Sequence, residues 1–396
     1  MSYTGHGRNR PFSNHRSRPG GRRFGGPQRS TVSQSRYINQ GVTPAIADVQ
    51  VITNSFADFA FDPRLTANIV RRGYTTPTPI QDQAIPHILA GKDVVGLANT
   101  GTGKTAAFLL PLIHRLLQDD TQGVLVLVPT RELAVQIADE LKMFIEGLDM
   151  SMALCIGGAN IRAQIDRVKN NPHFLIATPG RVKDLLQRHV INTDMFTNVV
   201  LDEVDRMLDI GFINDIRFII SCLPDQRHSY FFSATMTREV ETIMRSFVQD
   251  PVQISVKTVA TSTHIDQDVV RVNPGENKSD VLVNLLIQQE FSKVIVFGRT
   301  KHGINKLERI LSERGLRVSA IHGNKSQAAR QRALQLFKRG STQALLATDI
   351  AARGIDIDDV THVINFDEPQ SYEDYIHRIG RTGRAGKGGK ALTFIG

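Results

Sequence analysis

Short, uninterrupted apolar runs, each followed by a stretch of helical period, recur along almost the whole chain and constrain its fold more than any other feature. The first set lies at 93–97, 124–128, 153–156, 174–177, 199–201 and 230–232. These runs are continuous rather than alternating, as in strands buried on both faces of a parallel sheet. Intervening stretches such as 131–145 have the period and length of helices. A polar, aperiodic segment at 257–265 suits a linker. A second set of runs then follows at 294–297, 318–321, 344–347, 362–365 and 391–394, with helices such as 326–338 between them. The expected architecture is α/β: two tandem, doubly wound parallel-sheet domains at 51–256 and 266–396, preceded by a tail at 1–50. Ligands then belong at the carboxyl ends of the strands and in the cleft between the domains.

The 396 residues suffice for two domains that each bury a core. Apolar and charged contents of 41% and 22% are those of a globular chain. No apolar run is long enough for a membrane-spanning helix, and the basic N-terminus lacks the apolar stretch of a secretory signal. Cys155 and Cys222 are the only cysteines and sit in apolar surroundings, so a reducing, cytoplasmic setting without disulfides is expected. The net charge of +9 is concentrated in residues 1–36, which hold eight arginines, no lysine and no acid; the other 360 residues carry about +1. The tail is rich in Gly, Arg, Ser, Asn and Pro, with isolated Tyr3, Phe12 and Phe24. It has too little apolar surface to offset the entropy of ordering, so disorder is expected. Its arginines suit phosphates and its aromatics suit bases, giving weak RNA binding, or else it serves only as a solubilising tail.

Three motifs carry chemistry. Residues 98–105 read Ala-Asn-Thr-Gly-Thr-Gly-Lys-Thr between an apolar run and a helical stretch. A turn through Thr100, Gly101, Thr102 and Gly103 points backbone N–H groups at phosphates, aided by the positive helix end. Lys104 would reach the β- and γ-phosphates and the Thr105 hydroxyl would ligate Mg²⁺. The strict pattern has Gly where this chain has Ala98. Asp202 and Glu203 end an apolar run that leads into the interior, so Asp202 is expected to hold Mg²⁺ and Glu203 to polarise the attacking water. Arg381 and Arg384 are three apart, on one face if helical. The second half has no phosphate loop of its own, so these arginines are expected to cross the cleft to the γ-phosphate. The implied substrate is ATP.

Taken in order, the motifs resemble those of DEAD-box ATP-dependent RNA helicases, most similar to the bacterial RhlE-like branch, over about residues 56–394. The resemblance implies RecA-like domains. It matches Gly73-Tyr-Thr-Thr-Pro77-Thr-Pro-Ile-Gln81 to the family's Q motif, with Gln81 reading the adenine edge, as a side-chain amide can, and Phe56 packing on the base. It makes Ser233 and Thr235 the link between ATP state and closure, with His377 bonding nearby, and puts Asp356 nearest the ribose. RNA would be lined in lobe one by Pro129, Thr130, Arg131, Gly157, Gly158, Thr178, Pro179, Gly180 and Arg181. In lobe two it would meet Arg299, Thr300, Gln327, Arg330 and Thr348. Such groups contact phosphates and 2′-OH groups and carry no base information.

Two departures stand out. The namesake tetrad has Val204 where the family has Ala; its side chain is expected to point into the sheet and to affect packing rather than catalysis. The chain also stops at Gly396, just after a strand, where the family adds a closing helix, so a trimmed sequence is expected. The implied activity is RNA-stimulated ATP hydrolysis coupled to lobe closure and local, non-processive unwinding of short duplexes or remodelling of RNA–protein complexes. The alternative is an ATP-gated RNA clamp with little unwinding. Structured or duplex RNA is the expected partner, with ribosome-assembly or RNA-degradation proteins assisting and no membrane.

Overall fold

A computed structural model describes residues 1, 37, 51–99, 101–256, 265–352, 357, 359–383 and 388–396. The basic tail apart from Met1 and Tyr37, the linker residues 257–264, Thr100, Asp356 and Arg384 lie outside the described residues.

Seven strands build the first sheet: β1 (Val94–Leu97), β2 (Val124–Leu127), β3 (Met152–Cys155), β4 (Phe174–Ala177), β5 (Asn198–Leu201), β6 (His228–Ser233) and β7 (Val252–Ser255). All neighbours are parallel, in the order β3-β4-β2-β5-β6-β1-β7. Their unbroken Val, Leu, Ile and Phe content leaves both faces needing cover. The cover comes from α1 (Pro63–Arg71), α2 (Pro79–Leu89), α3 (Lys104–Gln118), α4 (Arg131–Phe144), α5 (Ile161–Val168), α6 (Pro179–Gln187), α7 (Val204–Ile210), α8 (Ile213–Ser221) and α9 (Arg238–Phe247). Phe108 packs on Phe232 on one face of the sheet, and Phe231 on Phe247 on the other, with ring centroids 5.6 and 6.4 Å apart. Gly96 lets the Phe232 ring lie across β1: a Cβ there would come within 2.6 Å of that ring.

The second sheet holds β8 (Ile265–Arg271), β9 (Val294–Phe297), β10 (Val318–Ile321), β11 (Ala344–Ala347), β12 (His362–Asn365) and β13 (Gly389–Ile395). It is parallel, in the order β10-β11-β9-β12-β13-β8. Around it stand α10 (Lys278–Leu286), α11 (Lys301–Glu313), α12 (Gln327–Lys338), α13 (Asp349–Ala352) and α14 (Tyr372–Ile379). Several helices begin just beyond a strand, on a hydroxyl cap. Thr130 accepts from the Leu133 N–H at 3.2 Å and Thr300 from the Gly303 N–H at 3.0 Å.

The tandem α/β architecture is as the sequence implies. Two strands were not foreseen, β7 and β8, and β8 starts at Ile265, inside the segment read as linker. Both lie at sheet edges, where one side of the strand has no partner and polar residues such as Gln253, Asp266 and Asp268 are tolerated. No continuous apolar run marks them.

Burial holds His114, His228, His322 and His362 below the usual imidazole range. His362 stacks on Phe291 with ring centroids 4.0 Å apart. A lowered folded-state pKa means that folding favours the neutral ring. Above about pH 6.5 neither state takes up a proton and nothing changes. As pH falls through that value the unfolded chain binds protons that the folded chain refuses, and stability drops. Thermal melts between about pH 7.5 and 5.5 are therefore expected to decline, and His362→Gln to make the decline shallower. Parallel slopes for the two proteins would remove His362 from this account.

Candidate active site at the cleft between the lobes

The strand order β5-β6-β1 brings three carboxyl-end segments side by side. The Ala98 N–H donates to the Ser233 carbonyl at 3.0 Å, and Asp202 follows β5 directly. In the loop after β1, Gly101 and Gly103 hold φ of 86° and 92°, a region that favours glycine. Gly103 is doubly required, because a Cβ would lie 2.6 Å from Gln81 Nε2. Lys104 is buried, and its Nζ donates to the Ala98 carbonyl at 2.8 Å. Thr102 Oγ1 donates to the Asn99 carbonyl at 2.8 Å, and Thr105 sits half-buried in the first turn of α3. A cation folded onto its own loop carbonyl at a helix N-terminus is poised to exchange that carbonyl for phosphate oxygens.

Gln81, only 1% exposed, braces this loop. Its Nε2 donates to the Gly103 carbonyl at 3.1 Å and its Oε1 accepts from the Thr78 N–H at 2.9 Å. One amide hydrogen and one lone pair remain for a base. Phe56 packs edge-on against Phe59 and Tyr74, each 6.0 Å away between centroids. Asp82, which the sequence reading passed over, anchors the segment leading to Phe56. Its carboxylate accepts from the backbone N–H groups of Thr53 at 3.1 Å and Asn54 at 2.8 Å. Burial pushes this carboxyl up, but those donors outweigh it and hold it below the ordinary range.

Glu203 occupies a left-handed conformation (φ 54°, ψ 50°), uncommon for a residue with a Cβ and a mark of local constraint. It is 3% exposed and paired with Arg206, NH1 to Oε2 2.7 Å, across one turn of α7. Burial pushes the Glu203 carboxyl up; the Arg206, Lys104 and Arg381 cations together pull it below its usual range. Asp202 moves the other way. Burial raises it, Lys104 opposes, and the neighbouring Glu203 adds to the rise. A buried carboxyl driven upward is one that a divalent cation would recharge, and Asp202 with the Thr105 hydroxyl offers the hard oxygen donors that suit Mg²⁺. Among the described residues no three His, Cys, Asp or Glu side chains converge as a metal cage.

Asp205 closes the tetrad structurally. Its Oδ2 accepts from Thr235 N at 3.0 Å, Thr235 Oγ1 at 3.1 Å and Ala234 N at 3.2 Å, while Ser233 Oγ donates to the Thr235 carbonyl at 2.8 Å. Val204 is fully buried in the apolar cluster of Leu201, Met207 and Phe231, facing the sheet as expected.

Lobe two delivers Arg381. The residue is buried, and its charge acts on Glu203 of lobe one. It does not stand on a helix face: α14 ends at Ile379, and Gly383, with φ 68°, turns the chain just beyond. His377, on α14, lines a small cavity with Phe297, Asp349, Arg378 and Arg381. Arg378, which the sequence reading did not single out, is the hub there. It grips Asp349 with two contacts (Nε–Oδ1 2.6 Å, NH2–Oδ2 2.9 Å), donates to Asn365 Oδ1 at 3.2 Å, and lies 5.2 Å from the Phe297 ring centroid.

The residues expected to face RNA cluster at the same strand ends. Thr130 and Arg131 open α4, and the Arg131 guanidinium fills the space beside Gly157 and Gly158. Pro129 precedes them, while Thr178, Pro179, Gly180 and Arg181 begin α6. Arg181 donates to Gln164 Oε1 at 2.9 Å, and Gln164, an unforeseen buried amide, also bonds both backbone groups of Ile156. In lobe two Arg299 and Thr300 follow β9, Thr348 follows β11, and Gln327 and Arg330 lie on α12. Arg330 crosses the cleft to Glu132, NH2 to Oε2 2.7 Å, both side chains buried. The pair is close but poorly aligned. Among the described residues, Arg330 Nε, both Glu132 carboxylate oxygens and the Gln327 amide have no hydrogen-bond partner.

A phosphate loop, an acidic pair beside it and a second lobe that completes the charge balance define a two-lobed P-loop ATPase. Residues 78–243 match the model of the DEAD/DEAH box helicase family, and 277–386 that of the helicase conserved C-terminal domain. The chain is 44% identical over 342 residues to the ATP-dependent RNA helicase CshA of Listeria monocytogenes, covering 86% of this chain and 66% of that protein. It is 44% identical over 346 residues to the DEAD-box ATP-dependent RNA helicase CshA of Bacillus subtilis, covering 87% and 70%. Matches to the CshA proteins thus span 65–71% of their length. Among solved structures, S. cerevisiae Dbp5 bound to RNA and ADP BeF3 is similar with a TM-score of 0.77 at 29% identity, covering 87% of this chain and 90% of that one. Mss116p bound to ssRNA and AMP-PNP gives 0.76 at 29% identity, covering 86% and 73%. The chain belongs to the DEAD-box ATP-dependent RNA helicase family.

Two predictions follow from the packing and charge of this site. Val204→Ala removes two buried methyl groups and should cost on the order of 2 kcal/mol of lobe-one stability, with ATP turnover at permissive temperature unchanged. A melting point equal to the parent's would mean that the cluster around Val204 relaxes without loss. Glu132→Gln strands Arg330 in the cleft; breaking a buried pair costs about 3–5 kcal/mol, but lobe opening lets the cation hydrate and caps that cost. Half-saturation of ATPase activity by RNA should therefore rise by roughly tenfold or more, since about 1.4 kcal/mol suffices for each factor of ten. The melting points of the lobes should stay put.

Proposed function

We propose that this chain couples ATP hydrolysis to closure of its lobes on RNA, and that closure bends one strand of a short duplex and separates it locally. The observation that carries this reading is the cleft itself: Arg381 of lobe two acts on Glu203 of lobe one, and Arg330 pairs with Glu132 nearby. The similarity to structures bound to RNA and nucleotide analogues supports it.

In this reading Thr100 to Gly103 cradle the phosphates at the head of α3, and Lys104 leaves the Ala98 carbonyl for phosphate oxygens. Thr105 and Asp202 would hold Mg²⁺, which when bound neutralises charge on the β- and γ-phosphates. Glu203 orients the attacking water and keeps its charge through Arg206. Arg381, with Arg384, stabilises the charge that develops on the transferring phosphoryl group. Phe56 packs on the base, Gln81 offers its spare amide hydrogen and lone pair to adenine, and Asp356 meets the ribose. Ser233, Thr235 and His377 carry the nucleotide state to lobe two. RNA is gripped by its backbone through Pro129, Thr130, Arg131, Gly157, Gly158, Thr178, Pro179, Gly180 and Arg181 on one side. Arg299, Thr300, Gln327, Arg330 and Thr348 hold it on the other. A grip without base contacts is indifferent to sequence, and two lobes of fixed span act on a few nucleotides, so unwinding is local.

The domain limits we propose are 51–256 and 266–396, with a linker between them and a basic tail before them. We place the chain with the RhlE-like branch on its motif string; a tree that grouped it with the CshA proteins would overturn that placement. Ribosome-assembly or RNA-degradation proteins in the cytoplasm are the partners and setting we propose on family resemblance.

Glu203→Gln should bind ATP and RNA yet slow turnover by at least about 100-fold, the ordinary reach of a positioned acid–base group. Arg381→Ala should cost on the order of 1,000-fold, as loss of an arginine finger does. Parent-like rates for either variant would sink its assignment. Strand displacement from a short RNA duplex should accompany turnover; stable RNA retention without displacement would mark an ATP-gated clamp instead.

A further inference from the structure

Asp367 is not among the groups assigned to nucleotide or RNA, yet four elements of lobe two meet at it. It lies two residues beyond the end of β12. Its backbone N–H donates to the Phe297 carbonyl at the end of β9 at 3.2 Å, and its own carbonyl accepts from Arg378 NH1 on α14 at 2.6 Å. These two bonds seat the residue. Its carboxylate then reaches two further elements. Oδ2 accepts from the Arg299 N–H at 2.8 Å, and Oδ1 faces Nζ of Lys278, the first residue of α10, at 3.8 Å. Lys278 is itself held over the Phe366 ring, 4.8 Å from the centroid.

Arg299 is exposed at the point where the chain leaves the sheet. On one side of it the Gly298 N–H is still in the ladder, donating to the Ala347 carbonyl at 3.0 Å; on the other, Thr300 is fixed by capping α11. The Arg299 peptide lies between these two holds, and the Asp367 carboxylate takes its N–H. A charged acceptor makes that bond stronger than one between neutral groups. The seat is also tight: a Cβ on Gly298 would come within 2.7 Å of Ile304 Cδ1. A backbone fixed in this way sets the direction in which the Arg299 side chain leaves it.

We propose that Asp367 is a positioning residue for RNA binding. Its carboxylate holds the Arg299 backbone so that the guanidinium stands ready for a phosphate of the strand, and it acts through Arg299 without touching RNA. The seating of the loop stands on the hydrogen bonds alone; its consequence for RNA rests on the function proposed above, in which Arg299 is an RNA contact.

Asp367→Ala in the full chain deletes the carboxylate and keeps both backbone bonds of residue 367. With a short RNA it should raise the RNA concentration for half-maximal ATPase activity by about fivefold, the cost of ordering one loose side chain on binding. Its rate at saturating RNA should match the parent's. Asp367→Asn keeps an oxygen for the Arg299 N–H and should restore the parent half-saturation, because the half-exposed pairing with Lys278 that it loses contributes little. Arg299→Ala should itself weaken RNA, and combining it with Asp367→Ala should weaken nothing further, since residues acting through one contact do not add. Amide exchange supplies a readout without RNA: the Arg299 amide should exchange faster in Asp367→Ala than in the parent or Asp367→Asn, while β9 and β11 stay protected. Parent-like half-saturation for Asp367→Ala, with Arg299→Ala weakened, would overturn the inference and leave the proposed function intact. Fold-changes that multiply in the double substitution, or Asp367→Asn as weak as Asp367→Ala, would overturn it too. Loss of protection across β9 and β11 would make the carboxylate a support of the fold and end its positioning role. Parent-like half-saturation for Arg299→Ala would instead defeat the RNA reading of this loop, and faster exchange at Arg299 would still show the seating.

Discussion

Glu203 is buried, and in the reaction proposed above it must nonetheless stay charged. Burial alone would drive its proton back on. Three cations prevent this, and they come from three parts of the chain: Arg206 one turn along α7, Lys104 from the phosphate loop, and Arg381 from the other lobe. Two are permanent features of lobe one. The third comes from lobe two, so in the function proposed above the charge environment of Glu203 depends on how the lobes meet.

The parallel sheet makes the balance possible. With β6 between β5 and β1, the acidic pair, the Ser233 turn and the phosphate loop emerge side by side from strand ends that cannot shift independently. Asp205 then ties the Ser233–Thr235 turn to α7 through Oδ2. Any movement of that turn is felt at α7, which begins directly after Asp202 and Glu203. The left-handed backbone at Glu203 is held between a ladder on one side and the Arg206 pairing on the other.

Much of this was legible in the sequence, for a physical reason. Strands buried on both faces must be unbroken apolar runs, so β4, β9 and β11 stand out with their ends intact. Loops that cradle phosphate need glycine at positive φ and a lysine at a helix head, a combination with few other uses. What escaped notice has weaker local signals. The edge strands β7 and β8 are half polar. Asp82, Gln164, Arg206 and Arg378 act through partners 28 residues away (Asn54), 17 (Arg181), 3 (Glu203) and 29 (Asp349). A buried arginine that spans Asp349, Asn365 and Phe297 has no signature until the sheet brings those three together. Arg381 was read as lying on one face with Arg384 if helical; it lies beyond the end of α14, which spacing alone does not show.

The two lobes share an architecture but divide their strand ends differently. After β1, lobe one spends its loop on glycines and Lys104. After β9, lobe two has Gly298, Arg299 and Thr300, with the Arg299 N–H bonded to Asp367 at 2.8 Å and Thr300 capping α11. In the function proposed above, that loop and its capped helix head meet one backbone phosphate of a strand. In that reading, two copies of one architecture with different loops give one nucleotide site and one backbone track. The seam between them is where Glu132, Gln327 and Arg330 keep unsatisfied polar capacity. Such groups are costly to bury unpaired.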